Sequence, residues 1–183
     1  PRKWRILDLG CGRGWLTNRM TAWGDCTGVA PIAPVVENAK KLFPGIQFYS
    51  GTSDTILALP DFRPFDLIVS TEVIEHVPRD AQPHFVDNIR KLLKRRGYVI
   101  VTTPRAEAWD AWYQLARPDQ PVEDWLSETD MQNLFSGCGF EALGIQRIYV
   151  GAPGISYFNY PAPDEILAGK IFPIYQVWLF QAP

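Results

Sequence analysis

The stretch STEVIEHVP, Ser70 to Pro78, places two carboxylates and an imidazole within five residues. Read as a turn of helix, Glu72, Glu75 and His76 stand at i, i+3 and i+4 and share one face. Three kinds of behaviour fit such a face. It could hold a divalent metal, present His76 as a general base with a carboxylate partner, or form a polar turn that only braces a loop. The elements that carry these residues decide among them.

A second stretch, ILDLGCGRGWLT, has Asp8 near the end of an apolar run, with Gly10, Gly12 and Gly14 following at alternate positions. Glycine lets the chain turn sharply and lets a ligand approach with no Cβ in the way. A dinucleotide fingerprint needs G-x-G-x-x-G. Counting from Gly10 or from Gly12 puts Trp15 or Thr17 at the third glycine, so both counts fail. There is no G-x-x-x-x-G-K-[ST] either. The loop instead suits a nucleoside cofactor without a pyrophosphate but with an ammonium group to satisfy.

Around these two stretches, short apolar runs alternate with helical patterns. WRILDLG, CTGVA, IQFYS, FDLIVS and YVIVTTP read as strands. GWLTNRMTAWG reads as a helix closed by Gly24, and APVVENAKKLF as one stopped by Pro44. RDAQPHFVDNIRKLLKRRG reads as an amphipathic helix that runs to Gly97, its basic run complementing the helix dipole. Ser127 opens a further helix in SETDMQNLFSGCGF, and EALGIQRIYV and YQVWLF follow as late strands. The piece between them, rich in proline, glycine and tyrosine, reads as a loop or small lobe. Alternation of this kind specifies an α/β fold, a Rossmann-like open and mostly parallel sheet with helices on both faces. No repeat or low-complexity tract divides residues 1–183, which read as one domain.

LDLGCGRG, FDLIVSTEVIEHVP and LLKRRGYVIVTTP, in that order and at those intervals, resemble the motifs of the class I S-adenosylmethionine-dependent methyltransferases, and the ubiquinone-pathway O-methyltransferases in particular. The resemblance implies a seven-stranded sheet with the last strand antiparallel, and S-adenosyl-L-methionine as cofactor, leaving as S-adenosyl-L-homocysteine. It implies that Asp8, Gly10, Cys11, Gly12 and Gly14 line the methionine end. Thr52, Ser53 and Asp54 would follow strand three, with Asp54 accepting from the adenine amino group; otherwise Asp54 caps the helix of TILAL. Thr71 and Glu72 would border the reactive end, and Ile32 would offer an apolar face to the adenine or join the core. His76 and Glu75 are the candidate catalytic residues. Small-RNA 2′-O-methyltransferases share E-x-x-E-H and hold a divalent metal with a second histidine. Here the one other histidine, His84, lies in the next helix, so a metal site is not assigned.

One position departs from the family. An acid normally grips the ribose after strand two, and Ala30 stands there. Backbone or water could serve instead, the residue could be a substitution, or the domain could be a non-catalytic binding module. Asp25 stands at the other end of that strand, and Glu37 is about two helical turns further on.

The 18 basic and 20 acidic residues leave a net charge of −2, which argues against DNA and makes RNA a poor partner. Three cysteines without paired spacing suit reduced thiols in the cytoplasm, and no apolar run has membrane-spanning length. Trp109, Trp112, Tyr113 and Trp125, with Tyr157, Phe158 and Tyr160, suggest a flat or apolar small-molecule acceptor. A chain opening at Pro1 is expected to lack an N-terminal lid element. Nothing in the residues bears on oligomeric state.

Overall fold

The computed structural model describes residues 3–115, 120–151, 155–158 and 171–183. Five strands, β1 (Trp4–Leu9), β2 (Gly24–Ala30), β3 (Gln47–Ser50), β4 (Phe65–Thr71) and β5 (Leu93–Pro104), form parallel neighbours in the order β3-β2-β1-β4-β5. β8 (Ile171–Gln181) then lies antiparallel between β5 and β6 (Glu141–Gly151). This is the expected seven-stranded mixed sheet. A short strand, β7 (Ile155–Phe158), adds an eighth at the β6 edge, inside the segment read as a loop. Tyr157 and Phe158 fall in it; Tyr160 lies outside the described residues.

Strand alternation divides the core between two faces. Ile68, Val99, Val101, Trp178 and Phe180 are buried under α4 (Gln82–Leu92) and α6 (Glu128–Gly137) through Val86, Ile89, Met131 and Phe135. Phe135 stacks on Phe180 at 4.2 Å between ring centroids. On the opposite face, α1 (Trp15–Met20) sets Met20 against Ile6 and Val69, and α2 (Ala33–Leu42) sets Val36 and Ala39 against Phe48. Beyond α1 this face keeps an apolar cleft of about 500 Å³, lined in part by Trp4, Trp23 and Ile100.

Two helix ends differ from expectation. α1 stops at Met20, and Gly24 opens β2 instead of closing the helix, because any Cβ at that point would collide with the Trp4 carbonyl. α4 stops at Leu92, before the basic run is complete. Sheet pairing wins there: Leu93 joins Phe65, and Lys94 Nζ reaches Asp66 Oδ1 at 2.6 Å. Arg90 and Lys91 stay in the last turn as dipole partners and also pair with Asp87. Ser127 caps α6 as expected, its Oγ accepting from the Asp130 amide.

Candidate active site

Asp8 sits opposite Val69, and Ala30 opposite Ser50, so the glycine loop, the end of β2, residues 50–54 and residues 71–76 meet along the carboxyl ends of the parallel strands. In open α/β sheets, ligands bind in that crevice. Gly10, Gly12 and Gly14 all hold positive φ, at 93°, 49° and 80°. Their surroundings differ. A Cβ at Gly10 would strike Val73, and one at Gly14 would strike Phe48, whereas one at Gly12 would meet no protein atom within 4 Å. Gly12 is thus the point where bare main chain faces open space.

Beneath the loop, Asp8 is buried and its Oδ2 accepts a 2.6 Å hydrogen bond from Thr17 Oγ1. Burial raises its pKa to about 6 against the opposing Thr17 hydrogen bonds. A buried carboxylate of this kind favours a cation above it. Cys11 is buried too, its thiol pushed up to about 12 by burial and then by Asp8, so it packs and does not react. Its amide and that of Gly10 both donate to the Val29 carbonyl, which ties the loop to β2.

Thr52 caps α3 (Ser53–Leu57) in a reciprocal box with Thr55, so the cap is Thr52 and not Asp54. Asp54 stands exposed in the first turn and accepts from Asn88 Nδ2 at 2.9 Å, a bond that holds its pKa below the usual carboxylate value. Asn88 Nδ2 also reaches the buried Ser53 Oγ at 3.1 Å. His84 Nε2 lies 3.2 Å from Asp54, on this side of the crevice. Ala30 is buried with Cys11, Val36, Ala39 and Phe48. Asp25 lies opposite Arg5 near the start of β2, and Glu37 is exposed and paired with Lys40, so neither reaches the position of the missing acid. Ile32 is 60% exposed and belongs to the rim, not the core.

The E-x-x-E-H stretch is not one helical face. Glu72 has a left-handed φ of 54°, held by its amide donating to the Thr102 carbonyl and by Thr102 Oγ1 donating to Glu72 Oε1 at 2.7 Å. Only Ile74–His76 forms a single 3-10 turn. Glu75 points inward and is 2% exposed, with Thr103 Oγ1 donating to its Oε2 at 2.9 Å. Burial, then the neighbouring Glu72, raises Glu75 to about 7. His76 stays accessible. Its Nδ1 lies 3.0 Å from the Val122 carbonyl, an acceptor only, so in the neutral ring Nδ1 carries the proton and Nε2 keeps its lone pair. That nitrogen is 3.8 Å from Glu75 Oε1, beyond hydrogen-bond range. Among the described residues, no three or more His, Cys, Asp or Glu side chains are grouped to hold a metal ion.

Several partners had no signal of their own in the sequence: Thr17, Asn88, Val122, Gln82 and Tyr175. Thr102 and Thr103 were legible only as the end of a strand. The Tyr175 phenol is raised by burial and then by the charges of Glu72 and Glu75. Its ring meets Trp112 at 6.4 Å, and Trp109 meets Trp125 at 4.9 Å and Tyr113 at 5.9 Å. Four aromatics named from the sequence, Trp109, Trp112 and Tyr113 on α5 (Trp109–Leu115) and Trp125 after it, thus gather beyond β5. The adjoining cleft of about 370 Å³ is also lined by Arg79, Asp110, Glu123 and Asp124, so it is aromatic and polar together.

The model of a family described as "methyltransferase domain" matches residues 1–144. The chain belongs to that family. Its methyltransferase domain is 37% identical over 190 residues to a ubiquinone biosynthesis O-methyltransferase of Nitrosococcus oceani, covering 88% of this chain and 78% of that protein. Relatives of the same name from Xylella fastidiosa and Maricaulis maris are 33% and 34% identical over 104 and 105 residues, about half of this chain and 41% and 40% of theirs. The matched part therefore spans about two-fifths of those two relatives. S-adenosylmethionine-dependent methyltransferases of Methanosarcina mazei and Clostridium acetobutylicum share the fold at TM-scores of 0.71 and 0.70 and 15% identity. They align over 100% and 97% of this chain and 93% and 83% of theirs. The methyltransferase domain contains no helix, among its described residues, long and apolar enough to cross a membrane.

The carboxyls of the methyltransferase domain have a stability signature. Glu75 binds its proton more tightly folded than at its ordinary value of 4.5, which favours folding in acid. That advantage is lost as pH rises from about 4.5 to about 7, and stability falls over this window. Asp8 acts in the same direction between 3.8 and about 6. In thermal melts taken across pH, Glu75→Gln is expected to flatten the upper part of this fall and to melt above the parent at pH 8. An unchanged slope would contradict the burial assigned to Glu75.

Proposed function

We propose that residues 1–183 act as one S-adenosylmethionine-dependent methyltransferase domain that methylates an oxygen of a small, aromatic acceptor in the cytoplasm. The relatives' names support O-methylation, and the gathered tryptophans support an aromatic acceptor. The observation that carries the reading is the His76 turn. With Nδ1 donating to Val122, Nε2 is an accessible base at the rim of the crevice.

The crevice fits the cofactor. Gly12 offers main chain with open space beside it, Asp8 supplies a buried carboxylate, and Asp54 supplies an oriented acceptor for an exocyclic amine. Gly10, Cys11, Gly14, Thr52, Ser53 and Thr71 would shape its walls, and Ile32 one face of its base. At Ala30 the ribose would meet main chain and solvent. When bound, S-adenosylmethionine supplies a methyl group on a good leaving group. The protein's part is then to align the acceptor, exclude water and remove one proton.

His76 Nε2 takes the acceptor's hydroxyl proton. Glu75, whose carboxyl burial raises to about 7, carries its proton part of the time near neutrality, which limits the negative charge beside Glu72. Glu72, fixed by Thr102, borders the acceptor and orients it.

Methyl-labelled S-adenosylmethionine with catechol tests the reading. Label is expected as a methyl ether on one catechol oxygen, with S-adenosylhomocysteine released in equal amount. Labelling of an RNA 3′ end but of no small phenol would overturn it.

A further inference from the structure

The His76 turn does not hold itself. Four contacts tie it to the segment 122–126. His76 Nδ1 meets the Val122 carbonyl at 3.0 Å, and the Asp124 amide donates to the Glu75 carbonyl at 2.8 Å. The Arg79 amide donates to Asp124 Oδ2 at 2.9 Å. The fourth contact is Gln82, the first residue of α4 and 1% exposed. Its Nε2 faces three carbonyls: Ile74 at 3.3 Å, Val77 at 3.2 Å and Asp124 at 3.2 Å. Three acceptors around one nitrogen fix the orientation of the amide. Ile74 opens the 3-10 turn and Val77 follows it, while Asp124 belongs to the segment 122–126, which lies as a strap along the turn. At its far end the strap is anchored at Leu126, whose carbonyl accepts from Gln176 Nε2 and from the Ala106 amide.

We infer that Gln82 is a positioning residue: by clamping the strap to the His76 turn it sets the imidazole tautomer, and so decides that Nε2 is the basic nitrogen. The physical reason is the competition open to a neutral imidazole. Without a carbonyl held at Nδ1, the proton can equally sit on Nε2, and the ring then offers the acceptor a donor where it needs a base. Gln82 has this influence without touching substrate. It is the one side chain in the described residues that bonds both ends of the turn and the strap together.

This rests on the base role proposed for His76, and the test keeps the two apart. The chain has two histidines, so ¹⁵N-histidine labelling gives two imidazole pairs, and His84→Gln assigns them. In the unaltered protein under alkaline conditions, His76 is expected to show a protonated Nδ1 and an unprotonated Nε2. The reverse pattern would overturn the proposal with no variant required. Gln82→Leu is expected to mix the two tautomers and lower kcat roughly ten- to a hundredfold, with affinity for S-adenosylhomocysteine unchanged. Gln82→Met serves the same purpose if the leucine variant folds poorly. In a His76→Ala background the same change is expected to cost no further activity. An equal loss in both backgrounds, or a wild-type tautomer in the Gln82 variants, would overturn the clamp. If His76→Ala alone left kcat intact while the tautomer still followed Gln82, the base role would fail and the clamp would stand.

Discussion

Gly12→Val is expected to abolish productive cofactor binding while leaving a folded protein. The cost to the fold is bounded, since no protein atom lies within 4 Å of the new Cβ. What remains is backbone: an L-residue at φ 49° costs roughly 1–2 kcal/mol, more for a β-branched one, or a fall of several degrees in Tm. The crevice loses far more, because the methyl groups would stand where the ligand approaches main chain. A loss of at least about a hundredfold in affinity, near 2.7 kcal/mol, is expected by calorimetry with S-adenosylhomocysteine. Gly45→Ala is the control for a change away from the crevice: it too has open space, without a left-handed φ, and its position before β3 lies elsewhere, so both Tm and affinity should hold. Equal affinity in the Gly12 variant and the parent would mean that the ligand is seated elsewhere.

His76→Ala carries the second large effect. General base catalysis contributes roughly 10²- to 10⁴-fold, and a loss in that range is expected in kcat, with cofactor affinity unchanged. The Val122 carbonyl freed by the change faces an accessible side chain and can turn to water, so the turn should survive. The loss should shrink for more acidic phenols, which part with their proton more easily. A kcat within about threefold of the parent, independent of phenol acidity, would reduce His76 to a brace for the loop.

The sheet was legible because its strands are mostly apolar runs, most of them ended by glycine or proline, and those signals are local. The glycine loop was legible for the same reason: D-x-G-x-G-x-G is chemistry written in consecutive residues. The ends of α1 and α4 were misread where a local helix signal met a sheet contact it could not see, Gly24 against Trp4 and Leu93 against Phe65. The shared helical face of Glu72, Glu75 and His76 failed in a similar way. Thr102 holds Glu72 in a left-handed conformation at the end of β4, and Glu75 turns inward to Thr103. Both threonines are about thirty residues away, and periodicity carries no trace of them. The strap is further still, more than forty residues from the imidazole it orients. Asp54 shows the intermediate case: the residue was named, but its exposure and its hold on Asn88 come only from α3 meeting α4.

The most direct test is a titration of the whole chain with S-adenosylhomocysteine, followed by heat. If bare glycine backbone over a buried carboxylate forms a nucleoside seat, saturable binding is expected with a Kd on the order of 10 µM, even with alanine in place of the ribose-gripping acid. No heat at millimolar ligand, from protein that melts cooperatively, would contradict it.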